Sequence, residues 1–140
     1  MPEKIKLLVP FNFSEKSEQA LDFALTYSRG VPAEIYIFYV SEGSSKDFRT
    51  ADRLNEENVE RMKQAVMNAL TRMQQAGIAP AVEDVHRRLA HGKAASEILK
   101  MSEGIGADMI IMGAPSRSAF KKLTTQTPCT LVLVKTKTYA

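Results

Sequence analysis

The residues best suited to chemistry lie near the C-terminus, in "DMIIMGAPSRSAFKKLTTQTPCTLVLVK", residues 108–135. An apolar run ends at Gly113, a small and basic stretch follows, and a second apolar run starts near Thr130. Backbone that follows a buried strand is a common phosphate cradle. Successive N–H groups converge on one anion, and glycine allows positive φ and close approach. Arg117, Lys121 and Lys122 would add positive charge, and Ser118 a hydroxyl. Pro115 works against the cradle, because it has no N–H to offer.

Other reactive residue types are sparse. His86 and His91 are the only histidines. A metal centre needs three or four ligands with supporting partners, and no such set stands out. Cys129 is the single cysteine, placed between Pro128 and an apolar run, where packing explains it better than thiolate chemistry. Ser14 stands where a helix N-cap is expected, with no histidine near it in sequence. No paired carboxylates and no Ser-His-Asp set appear, so the expectation is no catalytic residue, no metal and no enzyme.

The elements that must position the Gly113 segment follow from periodicity. "KIKLLVP" is a short, nearly continuous apolar run, suited to a strand buried on both faces and ended by Pro10. Ser14 then opens a helix whose first turn carries Glu15 and Glu18, with Ala20, Leu21, Ala24 and Leu25 at helical spacing. Arg29 in the last turn, Gly30 in a left-handed C′ position and Pro32 beyond it would close that helix. "AEIYIFYV" is β-branched and aromatic, a second strand. "SEGSSKDF" reads as a loop. A long helix follows from about Thr50 to Ala76, with an apolar stripe through Leu54, Val59, Met62, Val66, Ala69, Leu70 and Met73, stopped by Gly77.

The stretch "APAVEDVHRRLA" partly alternates at Val82, Val85 and Leu89, as a half-exposed edge strand does. A third helix presents Ala95, Ile98, Leu99 and Ser102 on one face. "ADMIIMG" and "TLVLVK" are the last two strands. Such alternation predicts an α/β fold, a parallel sheet with helices on both faces and right-handed crossovers. Ligands of such sheets bind beyond the C-terminal strand ends, where the strand order reverses. That directs attention to "VPFNFS", "YVSEG" and "MGAPSRS".

Composition bounds the rest. The chain has 140 residues, the size of one domain over 1–140, with a net charge of +3. No run approaches the ~18 apolar residues of a membrane helix. The N-terminal apolar run is interrupted by charges, unlike a signal peptide. With one cysteine an intrachain disulfide is impossible, and the expected location is cytoplasmic. The basic clusters lack interleaved aromatics or a recognition motif, so nucleic acid is not expected as a partner.

Taken in order, "KIKLLVPFNFSEKSEQALDFAL", "AEIYIFYVSEG", "HGKAASEIL", "GADMIIMGAPSRS" and "TPCTLVLVK" resemble the universal stress protein family across essentially the whole chain. The resemblance implies a single-domain, open five-stranded parallel sheet in the order 3-2-1-4-5. It also implies frequent dimers paired through the last strand, here Thr130 to Lys135. Some members bind ATP and others do not.

The resemblance also carries site residues. Pro10 and Asn12 match the family's P-x-D, with Asn in place of an Asp that lies near adenine or ribose. Val40 matches a second-strand residue that meets adenine through its backbone. The family's phosphate signature is G-x2-G-x9-G-[ST]. Here Gly113 fits the first glycine, Ser116 replaces the second, and Gln126 replaces the third, followed by Thr127. In the family a helix separates the G-[ST] pair from the final strand, whereas here Pro128 follows Thr127 at once, so by resemblance about two helical turns are missing. Residues 113–129 have room for a phosphate loop or for a short helix, such as Arg117 to Thr125 with Ala119, Phe120 and Leu123 facing inward, but hardly for both.

The expectation is a non-enzymatic universal stress protein that has lost the family-type ATP cradle. It would bind no cofactor and act in stress adaptation as a homodimer contacting a protein partner that the sequence does not name. The alternative is a nucleotide-dependent switch, with ATP or an AMP-type nucleotide and magnesium held by Pro10, Asn12, Val40, Gly113, Ser116 and Ser118.

Overall fold

The computed structural model describes residues 4–42, 48–77 and 84–135, with backbone alone for 48–55. The "SEGSSKDF" loop, apart from its ends, and Val82 lie outside the described residues, as does the side chain of Leu54. Strands β1 (Ile5–Pro10), β2 (Ala33–Ser41), β3 (Val85–His91), β4 (Met109–Gly113) and β5 (Thr130–Val134) alternate with helices α1 (Glu15–Tyr27), α2 (Phe48–Gln75), α3 (Ala94–Ile105) and α4 (Arg117–Gln126). All strand pairs are parallel, in the order β3-β2-β1-β4-β5. The order reverses beside β1, so the chain ends of β1 and β4 diverge and leave a crevice.

Side chains alternate across the sheet with period two. Leu7, Val9, Ile35, Ile37 and Ile111 face α1 and α2, where Leu21, Leu25 and Met62 close the layer. Leu8, Phe38 and Ile110 face α3 and α4, against Ile98 and Leu123. Most of these are fully buried, and each contributes about 1.5–3 kcal/mol of transfer free energy. Two apolar layers explain why β1, β2 and β4 read as continuous hydrophobic runs, whereas the edge strand β3 is half-exposed.

Local signals set the helix ends, with one correction there and another in the facing of α4. Ser14 caps α1, its Oγ accepting from the Ser17 N–H at 3.2 Å. Gly77, at φ +76°, lies just past the end of α2, where a left-handed residue is needed. Helix α1, however, ends at Tyr27, before Arg29, and Gly30 does not adopt the left-handed conformation. Ser28 terminates it instead, donating its hydroxyl to the Leu25 carbonyl at 2.7 Å, so no glycine is needed to satisfy that carbonyl.

The second correction concerns α4, which forms as a helix of Arg117–Gln126 but turns Phe120 outward, 46% exposed. Ala119 and Leu123, four residues apart, lie about 40° apart around the axis, and Phe120 falls outside that stripe.

Candidate functional site

The C-terminal ends of β1, β2 and β4 open onto a cleft of about 220 Å³. Pro10, Asn12, Val40, Gly113 and Ser116 all line it, joined by Ala94, Ala95 and Ile98 of α3 and by Ala119 and Leu123 of α4. The structure thus brings together five of the six residues named from sequence. Ser118 is not among the lining residues. Its hydroxyl lies 3.4 Å from that of Ser116, on the first turn of α4.

On the β1 side the turn into α1 is a closed hydrogen-bond network. Asn12 Oδ1 accepts from the Ser14 N–H at 3.2 Å and from the Ser17 hydroxyl. Ser17 Oγ in turn accepts from the Asn12 N–H at 3.0 Å and from the Ser14 hydroxyl at 3.1 Å. The amide oxygen of Asn12 supplies an acceptor as a carboxylate would, without its charge, and it is already spent on the helix start. Between these residues Phe13 takes φ +63°, the only described non-glycine in that region. Its ring packs edge-on to Phe11 at 5.1 Å and lies under the Arg61 guanidinium at 3.8 Å, contacts that offset the backbone cost.

Gly113 is required by packing. A Cβ built there would stand 2.6 Å from Lys16 Cβ and 3.1 Å from the Lys16 backbone carbon. Its φ lies outside the left-handed range, so close approach of β4 to the first turn of α1, and no special dihedral, demands the glycine. Beyond it the chain turns directly into α4. Ser116 is the N-cap, extended at φ −62° and ψ 163°, its Oγ accepting from the Ala119 N–H at 3.4 Å.

Gln126 and Thr127 then stand at the far end of α4, and neither lines the cleft. Ten helical residues span about 15 Å, so the two halves of the phosphate signature occupy opposite ends of one helix. Gln126 carries no strain, since neither it nor the C-cap Thr127 at φ −66° is left-handed.

Charge at the cleft is slight. Among the described residues Lys16 is the single charged one lining it, and Arg117, Lys121 and Lys122 do not line it. The Lys122 ammonium instead donates to Ser96 Oγ at 2.6 Å, tying α4 to α3. The sequence reading missed Lys16, Ser17 and Glu42. Glu42 Oε1 accepts from the Ala94 N–H at 3.1 Å and so caps α3, whose N-cap Lys93 has no side-chain bond to offer. The Ser14-x-x-Ser17 spacing could have flagged Ser17, but no local pattern announces a cap supplied from β2.

The remaining candidates lie elsewhere. His91 Nδ1 is 2.9 Å from the Ser41 hydroxyl, and His86 stacks on Tyr36 with ring centres 4.6 Å apart. Neither lines the cleft. No group of three or more His, Cys, Asp or Glu suited to a metal occurs among the described residues. Burial pushes the Cys129 thiol up, with Asp108 adding to the effect, so it is protonated at neutral pH.

Residues 5–134 match the Universal stress protein family. The chain belongs to the universal stress protein family. A universal stress protein of Methanothermobacter thermautotrophicus is 28% identical, the alignment covering 94% of this chain and 95% of the relative. In fold, this universal stress protein is similar to a universal stress protein solved in complex with cAMP. That likeness has a TM-score of 0.70 at 18% identity, covering 95% of this chain and 98% of the other. It is also similar to a universal stress protein from Archaeoglobus fulgidus in complex with dAMP, with a TM-score of 0.64 at 16% identity, covering 96% and 100%. At these identities the likeness shows the shared five-stranded parallel fold. No helix among the described residues is long and apolar enough to cross a membrane.

Proposed function

We propose that this universal stress protein is non-enzymatic, holds no triphosphate in the family manner, and acts in stress adaptation through protein contacts as a homodimer formed along β5. The observation that carries the first part is α4. It starts at Ser116 directly beyond β4, and takes Gln126 and Thr127 to its opposite end, about 15 Å from Ser116. A triphosphate needs both halves of the signature around one anion. What is left beside Gly113 is a short turn with Pro115, which lacks an N–H. Catalysis lacks support for a separate reason: among the described residues, the cleft lining holds no His, Asp or Glu that could move a proton.

The dimer is supported by the sheet. Among the described residues β5 is an edge strand pairing only with β4, and its Leu131, Val132, Leu133 and Val134 are half-exposed. An open apolar edge of this kind is an association hazard, and a two-fold copy removes it.

A second reading keeps a smaller nucleotide. Asn12, Val40, Gly113 and Ser116 do share one cleft, and two related folds were solved with cAMP and dAMP. A single phosphate asks only for the Ser116 end of α4, where N–H groups and helix dipole favour an anion. Thermal melting with magnesium–ATP, AMP or cAMP separates the readings. A ligand at about 100 times its Kd adds about 2.7 kcal/mol. The expected outcome is no shift in Tm with ATP. A shift with AMP or cAMP alone would establish the second reading, and a clear shift with ATP would overturn the first.

A further inference from the structure

The sheet edge opposite β5 is β3, which pairs with β2 alone among the described residues. Ile35 donates its N–H to the Asp84 carbonyl at 2.9 Å, and Gly92 donates to the Ser41 carbonyl at 3.0 Å. A parallel ladder takes every second residue, so the backbone of His86, Arg88 and Ala90 also turns toward β2. The backbone of Val85, Arg87, Leu89 and His91 turns outward. We infer that this edge receives an extended acidic segment of a partner protein as an added strand, selected by Arg87 and Arg88. This is a different edge from the one proposed for the dimer, and the inference stands whether or not that dimer forms.

Two features name the occupant. Outward N–H and C=O groups alternate along a strand of seven residues, a spacing that another extended backbone matches. A polyphosphate offers acceptors but no donors. The second feature is charge. The strand carries Arg87 and Arg88, both exposed, and no acid. Arg87 shares the face of Val85 and Leu89, toward α1 and α2, and Arg88 shares that of Ala90, toward α3, so one guanidinium flanks each side of the edge. Neither makes a salt bridge among the described residues. The carboxylates at the ends of β2 and β3 are engaged elsewhere: Asp84 with Lys4, Glu34 with the Tyr36 hydroxyl at 3.2 Å, and Glu42 with the Ala94 N–H.

Arg88 is also held at the edge. Its Nη1 donates to the outward Arg87 carbonyl at 3.1 Å, and its guanidinium lies 5.4 Å from the centre of the Tyr36 ring. An incoming N–H would take over that carbonyl and release the guanidinium to a carboxylate. The same charges argue against a second copy here. Two-fold pairing about the middle of β3 sets arginine beside arginine, and like charges opposite each other are destabilising, whereas an acidic strand reverses the sign.

The test is amide NMR of the full chain, titrated with a blocked seven-residue peptide that has two adjacent glutamates at its centre and valine and threonine around them. The expected result is saturable shifts at residues 85–91 and slowed hydrogen exchange at the Arg87, Leu89 and His91 amides. Arg87→Glu and Arg88→Glu should each weaken binding about threefold or more, as an opposite-charge cross-strand pair becomes a like-charge one. Two versions of the peptide, N-methylated at alternate residues in opposite phase, need no variant of the chain. One should bind and the other should not, because a strand pairs through every second residue only. Equal binding of both versions would reduce the edge to an anion patch and overturn the added strand. Shifts confined to β5 or to the cleft, or no saturable shift at millimolar peptide, would overturn it as well.

Discussion

Gly113 shows how one residue can look like ligand chemistry and be explained by packing. Its place after a buried strand is that of a phosphate-loop glycine, yet its missing Cβ is what lets β4 end against Lys16. The contact would be with Cβ and backbone, which cannot swing aside as a side-chain tip can. Gly113→Ala should therefore cost about 1–3 kcal/mol, the usual range for overpacking. Denaturant unfolding measures it, and the loss should appear with no ligand present. Ser14 was legible as a helix cap because the capping pattern is local. The tie between Ser17 and Asn12 is local too, five residues apart, but the capping of α3 by Glu42 depends on chain segments brought together by the sheet, which periodicity does not report.

At the scale of elements, α4 decides what the cleft can hold. It is short, carries few apolar residues, and buries only Leu123 completely, against the layer formed by Leu8, Phe38 and Ile98. Leu123→Ala should cost about 2–5 kcal/mol, the range for a buried leucine whose site cannot collapse, and urea unfolding would show it. Because Leu123 and Ala119 also line the cleft, the same substitution widens it. A helix is expected here because Phe120 and Leu123 need a core to enter, with Ala119 beside them, and of these Leu123 and Ala119 do turn inward. The direction of Phe120 was not readable, since a residue at the flank of a stripe is sorted by what neighbours it after folding. The end of α1 was misjudged for a related reason: Gly30 and Pro32 are strong stop signals, but Ser28, two residues before Gly30, already satisfies a helix carbonyl.

Across the whole molecule, the five-stranded parallel order was legible through alternation of elements and resemblance together. Both layers of core side chains follow from the period-two pattern in β1, β2 and β4. The start of the sheet is held by an exposed ion pair between Lys4 and Asp84, bridging the entry to β1 and the entry to β3. Hydrogen bonding to Lys4, and then its charge, hold the Asp84 carboxyl below the usual carboxylate range. A folded pKa below the unfolded one adds stability above the ordinary carboxylate pKa of about 4, which is lost as pH falls through the lower folded value. The stability difference between wild type and Asp84→Asn should therefore be constant from neutral pH to about 5 and shrink below about 4. Unfolding curves across that range check the sign, and raised salt should weaken the effect.

The central claim concerns triphosphate at the cleft, and calorimetric titration of magnesium–ATP into the wild-type chain tests it most directly. The account predicts heats indistinguishable from dilution. A saturable, one-to-one binding isotherm for ATP that disappears when Gly113 or Asn12 is substituted in a still-folded variant would contradict it.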